Sequence, residues 1–142
     1  MKIIPLSEGA FTIDKTKVFV PFNINNDQLQ QRPAGSLLVE VQPFCIITKK
    51  DIIVIDTGLG FSNEQGMLQL HQNLIDNGID PFNVTKVLLS HLHKDHSGGI
   101  SIKNKILQQH FISFPQATYY VNKNELSFGL DKINTSYHPE DF

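Results

Sequence analysis

Cysteine is almost missing from this chain. Cys45 stands alone, so no intramolecular disulfide can form, and its place in the apolar run Pro43-Phe44-Cys45-Ile46-Ile47 reads as a buried, inert thiol. Long hydrophobic runs are missing as well: no stretch approaches the roughly 18 apolar residues of a membrane span. The N-terminus, Met1-Lys2-Ile3-Ile4-Pro5, is broken by proline and then by Ser7-Glu8-Gly9, so it lacks the continuous apolar region of a secretory signal. Charge of one sign is not in excess either. Twelve Lys plus Arg face 14 Asp plus Glu, a net charge of −2, and no basic cluster exceeds Lys49-Lys50, which leaves no surface for a phosphate backbone. The expectation is a soluble, cytoplasmic protein with neither a nucleic acid nor a membrane as partner. There is no internal repeat and no low-complexity segment.

What is present, residues 1–142, suffices for one domain or part of one, since 40% of the 142 residues are hydrophobic and ten are Phe. The first sixty residues read as strands, with β-branched and aromatic residues in short runs between polar turns. Ala10 to Ile13 and Val18 to Phe22 flank Asp14-Lys15-Thr16-Lys17, a hairpin. Leu37 to Thr48 and Ile52 to Ile55 flank Lys49-Lys50-Asp51, a second one, and Ile52-Ile53-Val54-Ile55 lacks alternation, as in a strand covered on both faces. Asn23 to Pro33 is too polar for a strand and reads as an exposed loop, either bordering a substrate pocket or serving as a plain connection.

Residues 64–77 place Met67, Leu70, Leu74 and Ile75 on one helical face, with Gly78 as a left-handed cap. Beyond Asp80-Pro81, Lys86 to Ser90 forms a short strand and a helix begins near Ser97-Gly98-Gly99. Ala117 to Val121 is a further strand, with Asn122 capping a short helix through about Phe128.

Ser90-His91-Leu92-His93-Lys94-Asp95-His96-Ser97-Gly98-Gly99 packs three imidazoles and a carboxylate into six positions. Neutral imidazole and carboxylate oxygen suit zinc and similar divalent ions. His91 and His93, two apart at a strand end, point the same way, whereas Asp95 and His96 lie past the turn, so two ligand pairs can face two adjacent metals. The helical His-Glu-x-x-His arrangement of metalloproteases is absent.

This segment resembles the signature of the metallo-β-lactamase superfamily, and Ile55-Asp56-Thr57-Gly58 resembles that family's upstream strand-end motif. The likeness runs from roughly Phe11 to Tyr120 and includes Val87-Leu88-Leu89-Ser90 and Phe114-Pro115-x-Ala117. The Pro-rich early loop and the Phe-Pro-x-Ala segment look most similar to lactonase-like and organophosphate-hydrolase-like members.

The resemblance implies an α+β fold, the N-terminal half of an αββα sandwich: a mixed β-sheet with helices on one face. It implies His91 and His93 on a first metal, Asp95 and His96 on a second, and Asp56 holding the metal loop through hydrogen bonds from outside the ligand set; Asp56 as an ordinary strand-end turn residue is the other reading. In the family a third His, a bridging Asp and a further His come from the later half of the fold, and none is identifiable here. His138 is the one candidate substitute, although Pro139 follows it, while His71 and His110 read as surface residues. The chain ends near the point where the family supplies its next strand.

The activity implied is hydrolysis of an ester, lactone, thioester, amide or phosphoester in a small-molecule substrate. Hydroxide activated by two divalent ions would attack, with Asp95 orienting water or passing a proton to the leaving group. Zinc is the first expectation, with iron or manganese acceptable to the same donors. Two ligands per ion fall short of the three or four that zinc takes, so this chain by itself should hold metal weakly or not at all and be inactive alone. Half a sandwich leaves a sheet face bare, and self-association or binding of the missing C-terminal half should cover it. A non-catalytic binding module with a remnant site and an iron-dependent persulfide dioxygenase are the alternatives.

Overall fold

The computed structural model describes residues 1–63, 65–104, 109–131 and 136–139. Along it run β1 (Lys2–Pro5), β2 (Gly9–Ile13), β3 (Val20–Phe22), β4 (Leu37–Val41), β5 (Phe44–Ile47), β6 (Ile52–Ile55), α1 (Gln69–Asp76), β7 (Lys86–Leu88), α2 (Lys94–Ser97), β8 (Ser101–Asn104), β9 (Gln109–Ile112), β10 (Thr118–Tyr120) and α3 (Lys123–Asp131). The mixture is α+β, as the sequence led us to expect.

A five-stranded sheet has the order β1-β5-β6-β7-β10, and a three-stranded antiparallel sheet has the order β3-β2-β4. The hairpin around Asp14–Lys17 is β2–β3, and the one around Lys49–Asp51 is β5–β6. The continuous strand expected from Leu37 to Thr48 is two strands in different sheets. Pro43 has no N–H to give a ladder, so the chain bends at Gln42-Pro43 and crosses over. Residues 6–8 cross beside it, the N–H of Leu6 donating to Pro43 O at 2.8 Å and that of Glu8 to Val41 O at 2.8 Å.

Within the large sheet, register partners share a face and alternate residues face opposite ways. One face carries Ile4, Cys45, Val54 and Val87, all buried, and takes Leu70 and Leu74 of α1 with Ile79, Val84 and Phe114 into a single core. The opposite face carries Ile3, Ile46 and Ile53 in one row and Phe44, Ile55, Leu88 and Tyr120 in the next, and these are half-buried or exposed. The unalternating Ile52–Ile55 was expected to be covered on both faces; it is a strand, but among the described residues only the Val54 face is fully buried.

The helix foreseen over 64–77 is shorter. Glu64 lies outside the described residues, Met67 and Ile75 are exposed, and the buried face is Leu70 and Leu74. Its end is as expected: Gly78 has φ +75°, its N–H donates to Ile75 O at 2.8 Å, and the N–H of Ile79 donates to Leu74 O at 2.9 Å. Those paired bonds satisfy carbonyls that the helix end would otherwise leave open. A helix expected to begin at Ser97 instead ends there, because α2 starts directly after His93. The antiparallel β8–β9 pair and β1 had no counterpart in the sequence reading. Asn122 does cap α3, its Oδ1 accepting from Asn124 N–H at 2.9 Å, and the helix runs to Asp131 rather than Phe128.

Strands β6, β7 and β10 are parallel, so their carboxyl ends lie side by side. Ile55 pairs with Leu88, and the N–H of Asp56 extends the ladder one step by donating to Leu88 O at 2.9 Å. Residues far apart in sequence, the Asp56 loop and the His-rich loop, are thereby delivered to one edge. Among the described residues no helix is long and apolar enough to cross a membrane.

Candidate metal centre

The His-rich segment is a loop that runs into a single helical turn. Strand β7 stops at Leu88, Ser90 to His93 are loop, and Asp95 and His96 sit on α2. The loop is clamped against residues 56–60 by backbone contact: Thr57 N–H donates to His96 O at 2.6 Å, and its hydroxyl reaches the same oxygen at 3.1 Å. Space between the two loops is so small that a Cβ on Gly60 would lie 2.1 Å from Gly98 O, and one on Gly99 2.2 Å from Thr57 O. Glycine at these positions is a steric requirement of bringing the two loops together.

Three imidazoles gather at this edge. The ring centres of His91 and His93 are 4.6 Å apart, and His91 lies nearer still to His96, at 4.0 Å. His96 Nε2 is 3.6 Å from Asp95 Oδ2, so this pair turns toward common space. Among the described residues, no three His, Cys, Asp or Glu side chains close on a single cation position. The donor set fits a divalent ion in kind, imidazole nitrogen and carboxylate oxygen, with two donors in each pair.

Asp56 organises the cluster. Its backbone has φ +60°, a left-handed conformation that Asp tolerates better than most residues and that aims its carboxylate back at the His-rich loop. Oδ1 accepts from Ser90 N–H at 2.7 Å, and Oδ2 accepts from the Ser90 hydroxyl at 2.8 Å and lies 2.8 Å from His96 Nδ1. Burial pushes this carboxyl up, but the hydrogen bonds from His96 and Ser90 outweigh it and hold it below the usual carboxylate range. An ionised carboxylate only accepts, so His96 Nδ1 carries the proton that it receives, and in the neutral ring Nε2 keeps its lone pair. The hydrogen bond to Asp56 raises the His96 pKa, with burial opposing it.

The same logic passes through Ser90. Its one proton goes to Asp56, so at 3.1 Å from His91 Nδ1 the hydroxyl oxygen accepts, and His91 also presents Nε2. Burial first, then the neighbouring His96 and His93, lower the His91 pKa and favour the neutral ring that binds a metal. One carboxylate thus sets the tautomer of two imidazoles.

The other sequence candidates lie elsewhere. His71 is no surface residue: its ring packs edge-on against Phe114 at 5.0 Å, and burial lowers its pKa. His110 is exposed on β9, its Nδ1 3.2 Å from the Ser101 hydroxyl. His138 is half-buried and forms no three-donor group with the cluster. Cys45 is fully buried in the core, where desolvation raises its pKa, consistent with an inert thiol. Residues 140–142 lie outside the described residues.

Two contributors escaped the sequence reading. A cavity of about 250 Å³ opens beside Asp56, Asp95 and His96, walled by Ile13, Phe19, Val39 and Val41 from the three-stranded sheet and its turn. Asn23 to Pro33 does not line it. Glu125 on α3 reaches the His-rich loop, its Oε1 accepting from Leu92 N–H at 2.9 Å. Alternation in β2 and β4 hinted at an apolar face, whereas nothing local marked Glu125.

The chain is similar to known proteins in sequence and in fold. The sequence pattern described as the metallo-beta-lactamase superfamily matches residues 38–102. An atrochrysone carboxyl ACP thioesterase of Pseudocercospora fijiensis is 32% identical over 97 residues, which are 68% of this chain and 26% of that protein. Among solved structures, hydrolase AbOPH of the beta lactamase superfamily is 28% identical with a TM-score of 0.64, covering 91% of this chain and 44% of its own. AidC, a dizinc quorum-quenching lactonase, shares the fold at 22% identity and a TM-score of 0.64, over 92% of this chain and 45% of its own. The chain spans about a quarter of the curated relative and under half of these two structures.

Proposed function

We propose that this chain, similar to the metallo-β-lactamase superfamily, carries the first half of the active site of a metal-dependent hydrolase acting on a small substrate with an apolar acyl or alkyl group. The observation that carries this is the Asp56 carboxylate, which engages Nδ1 of His96 directly and Nδ1 of His91 through Ser90, so that in the neutral rings the Nε2 atoms are the free donors, that of His96 3.6 Å from Asp95. A structural histidine cluster has no need of that arrangement.

His91 and His93 would hold one divalent ion and Asp95 with His96 a second, zinc being the best match to these donors, and further ligands would come from outside the described residues. A divalent ion bound by these residues would supply Lewis acidity toward a carbonyl or phosphoryl oxygen and toward water. The chain's own residues do the rest. Asp56 and Ser90 fix the ring orientations, and Asp95 Oδ2 can take up a proton and pass it to a leaving group. Ile13, Phe19 and Val39 exclude water from one side and seat an apolar substituent against the site.

Of the linkages this chemistry cleaves, carboxylic ester, lactone and thioester fit best, because the cavity wall beside the donors is apolar and its one carboxylate away from them, Glu40, accepts from the Ser7 hydroxyl at 2.6 Å. A lactonase and a thioesterase are among the proteins to which the chain is similar. The test is zinc content and kcat/KM of the complete protein toward lactones, thioesters and phosphotriesters of graded chain length, alongside His91→Ala and Asp95→Ala. Burial of each methylene is worth about 0.8 kcal/mol, so kcat/KM should rise about fourfold per carbon until the cavity is full. Activity equal in wild type and both variants would reject the reading, and iron with oxygen consumption would replace it by dioxygenase chemistry.

A further inference from the structure

Asp56 accounts for His91 and His96 but makes no contact with His93, the remaining imidazole. We propose that Glu125 is the positioning residue for His93 and for the turn between the two histidines of the first pair, acting together with Tyr137. The inference rests on the reading of His91 and His93 as a ligand pair, though its geometry stands without metal.

Glu125 lies three residues after Asn122, the cap of α3, where a glutamate ordinarily reaches back to the N–H of the cap residue. Its Oε1 goes elsewhere. It accepts from Leu92 N–H at 2.9 Å and from the Tyr137 hydroxyl at 3.1 Å, joining two segments 33 and 12 residues away. Leu92 is the residue between the two histidines, and its side chain is fully buried. Its carbonyl is held as well, accepting from the Ser97 hydroxyl at 3.2 Å, while His93 O accepts from that hydroxyl at 3.1 Å. The peptide groups flanking the turn are therefore fixed from both directions, the N–H by Glu125 and the C=O by Ser97.

Tyr137 supplies the second contact. Its ring stands edge-on to His93 with centres 4.8 Å apart, and against Phe128 of α3 at 5.5 Å. Its hydroxyl is the donor in the bond to Glu125 Oε1. Next to it, Ser136 O accepts from Lys94 N–H at 2.9 Å, so this segment is pinned across the start of α2, immediately after His93. A single carboxylate oxygen thus holds both the backbone in front of His93 and the aromatic wall beside its ring. Among the described residues, its two hydrogen-bond partners are neutral donors. A buried N–H left without an acceptor is costly, and removal of Glu125 leaves Leu92 in that position.

The experiment is heteronuclear NMR of this chain without metal, followed by zinc titration, on wild type, Glu125→Ala, Glu125→Gln and Tyr137→Phe. In Glu125→Ala the Leu92 amide should shift upfield and exchange at least about tenfold faster, which corresponds to a protecting bond of ordinary strength. The His93 ring resonances should move, and those of His96 should stay. Gln keeps an acceptor oxygen, so Glu125→Gln should restore most of the Leu92 protection, and Tyr137→Phe should shift His93 while leaving Leu92 bonded. Zinc seen through the His91 and His93 resonances should bind about 10- to 100-fold more weakly in Glu125→Ala. Unchanged Leu92 exchange, or disturbance of His96 as large as that of His93, would overturn the proposal. Wild-type histidines that do not respond to zinc, with the amide and ring shifts as described, would remove the metal reading and leave the positioning role standing.

Discussion

The carboxylate of Asp56 and the Nδ1 of His96 lie 2.8 Å apart across 40 residues of sequence, and the contact is made from a left-handed backbone that few side chains tolerate. Asn is nearly the same size and also accepts that conformation, so Asp56→Asn removes the charge without straining the turn. The amide oxygen stays with its donor, Ser90 N–H, which turns the NH2 group toward His96 Nδ1; that group donates and cannot accept, so the ring is driven to its other tautomer with the proton on Nε2. Metal affinity at Asp95 and His96 should fall about 10- to 100-fold, as is usual when the partner behind a ligand is lost. Competition with a chromophoric chelator measures it, and ¹⁵N shifts of the ring report the tautomer. Ser90→Ala should change the tautomer of His91 and leave His96 as it is. Equal effects of the two substitutions on both rings would contradict the relay.

Glu8 makes stability depend on pH. Its Oε2 accepts from Leu59 N–H at 2.7 Å, while Oε1 is sealed from solvent with no hydrogen-bond partner among the described residues. Burial raises its pKa from 4.5 to about 7, against the lowering effect of the Leu59 bond. The folded value lies above the unfolded one, so the stability that the bound proton supplies is complete below pH 4.5 and is lost as pH rises through about 7. A shift of this size is worth about 3 kcal/mol. Gln carries no charge, so Glu8→Gln should match wild type at pH 4 and exceed it at pH 8 by up to that amount in urea unfolding. Curves that stay parallel across the range would show that Glu8 is not the group responsible.

Gly60 and Gly78 both have positive φ, +72° and +75°, yet only Gly60 faces a neighbouring backbone. A Cβ on Gly78 meets nothing within 4 Å, so Gly78→Ala should cost only the left-handed strain, about 1–2 kcal/mol. Gly60→Ala adds a clash with Gly98 O, about 1–3 kcal/mol more. Denaturant midpoints compare the two. Gly60→Ala should also broaden the Asp95 and His96 resonances, because the clash pushes the two loops apart. Similar costs at both sites, with those resonances unchanged, would mean that the loops are not tightly packed.

The uncovered face of the five-stranded sheet should make this chain associate. Ile3 is 56% exposed, and Leu88 and Tyr120, which are register partners, are each 45% exposed. Full burial of each such side chain is worth about 1.5–3 kcal/mol. Light scattering should show a mass that grows with concentration, and Ile3→Lys with Leu88→Lys should lower it toward that of one chain. A wild-type monomer at all concentrations would count against the reading.

The sequence by itself determined the strand-rich N-terminal region, the Gly78 cap, and the identity of the metal-donor candidates His91, His93, Asp95 and His96. Hydrophobic patterning, glycine chemistry and ligand type are all local, and a strand end followed by clustered imidazoles is written in consecutive residues. It was also enough to single out Asp56, since the turn after Ile52–Ile55 precedes the His-rich segment in the expected order. Tertiary structure alone decided what these residues do to one another. That Leu37 to Thr48 divides between two sheets, that Ser90 passes the influence of Asp56 on to His91, and that Glu125 turns away from its own helix cap to hold Leu92 all depend on which backbones lie adjacent after folding. Strands β6 and β7 are joined by a helix, and only their parallel pairing brings the two loops to the same edge; hydrogen bonds of that kind are made across space, and no periodicity along the chain encodes them.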